Sequence, residues 1–199
     1  YLAKNITDPA LRKLLSETDI YELNLKTWND LQDYIAAKTG GKPGPEELDR
    51  LAAAVLAIPD PAITKQKERL MALADDPAYG TILKQAIDAT EDKNIRDKGE
   101  WLQSVYNEAL RFGLTDKDMA RILASVSSLP GTDAEQFRRD LAAFADEPFR
   151  SWLNSIDLKK EGISTPEDLI LYILRNMKQA GVEELFFKAL SGLINSKDI

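Results

Sequence analysis

Acid–base chemistry near neutral pH falls to carboxylates in this 199-residue sequence, which has 33 Asp and Glu, 26 Lys and Arg, and neither His nor Cys. Without Cys there is no thiolate nucleophile, no disulfide and no Cys-ligated metal centre. Without His the usual general base is missing, and with it the commonest transition-metal ligand. Ser–His–Asp and Cys–His catalysis are therefore excluded. What remains is the chemistry of paired carboxylates, of which glycoside hydrolysis is the main example. With 33 acids some pair meets any distance rule, so their number selects nothing.

Two local patterns come closer to known binding loops. The stretch EDKNIRDKGE at 91–100 is rich in oxygen ligands. Counted from Asp92, however, an EF-hand would need Gly and Glu where Asp97 and Gln103 stand. It reads as a connector ending in a helix cap. Glycines at 40, 41 and 44 bracket Lys42 and Pro43, without the spacing or the Lys-Ser/Thr end of a phosphate loop. No cofactor or metal is expected. The net charge of −7 disfavours a nucleic-acid partner, whose phosphates seek a positive field. No apolar run approaches the roughly 20 residues of a transmembrane helix. The first residue is Tyr1 rather than Met, so an upstream segment, of the kind that includes targeting sequences, is expected to have been removed.

The elements that position these residues follow a repeat. The segment LMALADDP at 70–77 recurs as LAAFADEP at 141–148, and Thr7-Asp8-Pro9 repeats its end earlier. An acid followed by Pro and then an apolar residue (Leu14, Ile82, Leu153) predicts a helix start, since Pro loses no hydrogen bond in a first turn. Call this helix A. Helix B follows a cap at Thr27, Asp97 or Thr165, with Asp30, Glu100 or Asp168 three places on, as in a capping box. Its buried stripe is Leu31 and Ile35, Trp101 and Val105, or Leu169 and Ile173. Helix C starts near Glu47, Asp118 and Glu184, and helix D follows Pro59 and Pro130. These landmarks recur at spacings of 66–71 residues.

The predicted fold is therefore all-α: a tandem helical repeat of about four short helices per unit, either solenoid-like or a compact stacked array, forming one domain over 1–199. Its units are 8–75, 76–146 and 147–199, the third lacking its last helix. Short helical units of this kind complete their cores by stacking on neighbours. The likeness to armadillo, HEAT or TPR arrays is one of architecture only, because their diagnostic motifs are missing.

A repeat also supplies an internal control. Trp152 is matched by Lys13 and Thr81, and Trp28 by Lys98 and Pro166. Phe186 and Phe187 are matched by Asp49 and Arg50, and by Ala120 and Arg121. A bulky aromatic that the other copies do without either covers an end of the array or anchors a partner. Trp152, Trp28, Phe186 and Phe187 are the candidate partner-binding residues, whereas Trp101, matched by Leu31 and Leu169, is expected in the core. The function expected is a non-catalytic protein- or peptide-binding module of a larger protein. The alternatives are a carboxylate enzyme or binder acting on a saccharide, and a structural spacer.

Overall fold

A computed structural model describes residues 9–17, 28–41, 44, 46 and 61–196. Within them the structure is helical and contains no strand. The helices are α1 (Pro9–Ser16), α2 (Trp28–Thr39), α3 (Pro61–Met71), α4 (Gly80–Glu91), α5 (Lys98–Arg111), α6 (Asp116–Ser127), α7 (Ala134–Ala142), α8 (Phe149–Ser155), α9 (Pro166–Ala180) and α10 (Glu183–Ser196). The chain divides into two compact units, 1–60 and 61–199. The boundary falls inside the first expected repeat, so α3 packs with the later helices.

In the first unit α1 packs on α2, burying Leu11, Leu31 and Ile35. Cap residue Thr27 and the first copy of helix C from Glu47 onward lie outside the described residues.

The second unit carries one continuous apolar core from Ile63 to Ile194. Its helix starts follow local chemistry. The Asp97 carboxylate accepts from the backbone N–H groups of Gly99 and Glu100 at the start of α5. Thr165 and Asp168 form a reciprocal capping box with Pro166 in the first turn of α9. Thr115 and Asp118 do the same for α6. Such caps satisfy amide donors that a helix start leaves without internal partners. α9 ends at Gly181, whose φ of 68° is the left-handed conformation that stops a helix. The prolines of helix A take different places: Pro9 opens α1, Pro148 is the N-cap of α8, and Pro77 lies in the turn before α4.

Pairing is crosswise in the second unit. α5 packs most extensively on α4 and α10, and α6 on α9, while α5 and α6 touch each other little. α10 is the central helix, meeting α3, α5, α6, α7 and α9. It buries Phe186, Phe187, Ala189, Leu190, Ser191, Leu193 and Ile194. The start of α5 approaches its backbone closely at Gly99, where a Cβ would lie 3.0 Å from Lys188 Cα.

Candidate functional site

The short helix α8 carries Trp152 half out of the core. Glu147 secures the helix start, accepting from the Ser151 hydroxyl at 2.6 Å and the Ser151 amide at 3.1 Å. Those hydrogen bonds hold its carboxyl below the usual range. The Trp152 ring stacks on Tyr172 of α9, with centroids 6.4 Å apart and planes at 26°, and lies 6.1 Å from the Phe149 ring. Two neighbours therefore fix its position while part of it still meets solvent.

Behind Trp152 the rings continue inward. Phe149 meets Phe186 edge-on at 5.9 Å, Phe186 meets Phe187 at 5.0 Å, and Phe187 meets Tyr106 of α5 at 5.3 Å. The Tyr106 hydroxyl donates to Asp116 at 2.7 Å, so its far end is also fixed. Burial, then that hydrogen bond, pushes the Tyr106 phenol well above its ordinary value.

Two of the candidate partner-binding residues lie inside this chain of rings. Phe186 and Phe187 are fully buried, and a side chain with no exposed surface offers nothing to a partner in this fold. They fill the centre of the second unit because α10 is its central helix. Trp101 is buried as expected, and its indole N–H donates to Glu91 at 3.1 Å. Of Trp28 the structure gives the helical backbone, and its side chain lies outside the described residues. The structure thus brings Phe186 and Phe187 together behind Trp152.

Tyr172 escaped the sequence reading. A signal was present, because at the repeat spacings it aligns with Ser104 and Tyr34 and so is not a constant core position.

A polar grouping ties the segment after α4 to α5. The Lys93 ammonium donates to Glu108 at 2.6 Å and to the Ser104 hydroxyl at 3.1 Å. The Arg111 guanidinium lies 2.7 Å from the other Glu108 oxygen. The Glu108 side chain is 9% exposed, and the hydrogen bond from Lys93 holds its carboxyl below the usual range against the effect of burial. An acid held ionised between two cations anchors the connection to α5 but is a poor proton donor near neutral pH.

Other acids follow the same course. Asp118 is lowered by hydrogen bonds from Thr115, and Asp146 by Lys188. Burial pushes Asp168 up, but hydrogen bonds from Thr165 and Ser164 outweigh it. A glycosidase acid needs the opposite displacement. Among the described residues no three acids group as metal ligands, and no helix is long and apolar enough to cross a membrane.

No protein-family profile, curated protein or solved structure matches the chain.

Proposed function

We propose that this chain is a non-catalytic helical-repeat module that binds a protein or peptide through the surface around Trp152. The observation that carries the reading is a partly exposed Trp held in place by Phe149 and Tyr172. Such a ring loses little conformational freedom on binding, which is what makes aromatic anchors effective. In the matching positions Lys13 and Thr81 are exposed. The helix start does not need an indole there.

The repeat reading is supported by element order. α4, α5, α6 and α7 fall on the landmarks for helices A to D of the second copy, and α8, α9 and α10 on A to C of the third. Asp97 and Thr165 cap equivalent helices. A compact stack suits the packing better than a linear solenoid. In a solenoid each repeat touches only its neighbours, whereas α10 of the third copy also meets α3 of the first.

The burial of Phe186 and Phe187 favours the spacer reading, because it shrinks the candidate surface. Selection from a random displayed peptide library separates the two. The binding module predicts enriched peptides that the full chain binds and Trp152→Ala, with unchanged circular dichroism, binds at least tenfold more weakly, a loss of about 1.4 kcal/mol. No enrichment, or binding indifferent to Trp152, would sink the reading and leave the spacer. A glycan array run alongside tests the saccharide alternative.

A further inference from the structure

The strongest unexplained feature of the second unit is a set of buried oxygens where α3, α5 and α10 meet. Gln66 of α3 is fully buried, as is Ser191 of α10. Gln66 Oε1, Ser191 Oγ and Asn195 Oδ1 are each buried without a hydrogen-bond partner. A buried oxygen left without a donor carries its full desolvation penalty, so three of them in one core call for a ligand.

The orientation of the two carboxamides is set by their nitrogens. Gln66 Nε2 donates to the Lys98 carbonyl at 3.2 Å, and Asn195 Nδ2 to the Ser191 carbonyl at 2.9 Å. The amide oxygens are therefore the free ends. The surrounding contacts bring together the helices that carry them. Lys65 and Arg69, flanking Gln66 on α3, donate to the Asn195 and Ile194 carbonyls of α10. Lys98 opens α5, which abuts α10 at Lys188, three residues before Ser191.

We infer that these three helices hold one internal water molecule, bound by Gln66 Oε1, Ser191 Oγ and Asn195 Oδ1. The chemistry balances: water donates to the two carboxamide oxygens and accepts from the Ser191 hydroxyl, three bonds being typical of a buried water. An anion would face two acceptor oxygens. A metal cation would sit beside Lys65 and Arg69. Neither suits the site as water does. The inference is independent of the proposed binding role.

Water oxygen-17 relaxation dispersion on the full chain counts long-lived waters, and nuclear Overhauser transfer from water locates them. Wild type is expected to show water transfer to the Gln66 and Asn195 side-chain amides. In Gln66→Met, the dispersion amplitude falls by one molecule and transfer to the Asn195 amide disappears. Ser191→Ala, a smaller change, gives the same readout should Gln66→Met fail to fold. Absence of the transfer in wild type, or its persistence unchanged in a folded variant, would overturn the inference.

Discussion

Gly80 shows how one residue type follows from one contact. A Cβ there would lie 2.1 Å from the Ala74 carbonyl oxygen and 2.5 Å from its carbon, both backbone atoms. Gly-to-Ala inside a helix ordinarily stabilises by about 1 kcal/mol. Here the clash reverses the sign, and Gly80→Ala is expected to cost about 1–3 kcal/mol as an overpacked site, read from urea denaturation. A gain in stability would mean that the turn before α4 can move away. Glu108 makes a different prediction. Its folded carboxyl lies below its unfolded value because Lys93 and then Arg111 hold the charge. Its contribution is therefore complete above the free Glu value of about 4.3 and is lost as pH falls through the folded value. Glu108→Gln should be less stable than wild type at pH 7, and the gap should close on acidification below about pH 4. A gap independent of pH would show that packing, not charge, holds the segment after α4 on α5.

Elements were the most legible scale, because a helix start is local chemistry. Asp97 and Thr165 could be named as caps from their own residue types and those three places on, and both cap helices. Thr165→Ala should cost about 1 kcal/mol. The test is whether thermal melting shows this loss while Thr165→Ser stays near wild type. Equal losses in both would assign the effect to something other than the hydroxyl. Partner choice between helices was not legible. The crosswise pairing of α5 with α10 and α6 with α9 joins residues far apart in sequence, and periodicity records only that a face is apolar, not what covers it. The same limit left the cover over Phe186 unread. Its counterpart Ala120 was read as a position that could do without bulk, yet Ala120 is itself fully buried. The position is interior in both copies, and only the volume to be filled differs. Phe187 is a true change of environment: its counterpart Arg121 is exposed and lies over the Tyr79 ring at 6.0 Å. Trp152, singled out by the copy-to-copy contrast, is partly buried, and the Tyr172 and Phe149 rings that steady it come from the packing of α8 and α9.

At the scale of the second unit, α10 decides whether 61–199 behaves as one cooperative body. A linear array loses stability mainly around a damaged unit, since its energy is close to a sum of neighbour terms. A body built round one helix should lose it everywhere. Leu190 is fully buried on α10, and α10 meets helices from each of the three expected copies. Leu190→Ala is expected to cost about 2–5 kcal/mol through lost burial and a residual cavity. Native-state hydrogen exchange gives the distribution of that loss. The slowest amides of α3, α5, α6, α7 and α9 should all lose protection by the same free energy, although Leu190 belongs to none of them. Loss confined to α9 and α10 would mean that the unit opens in parts, and the crosswise pairing would then be two weakly coupled contacts. An even loss would make α10 the strut against which α8 is braced through Phe186 and Phe149, and Trp152 would owe its fixed position to the whole core rather than to its own short helix.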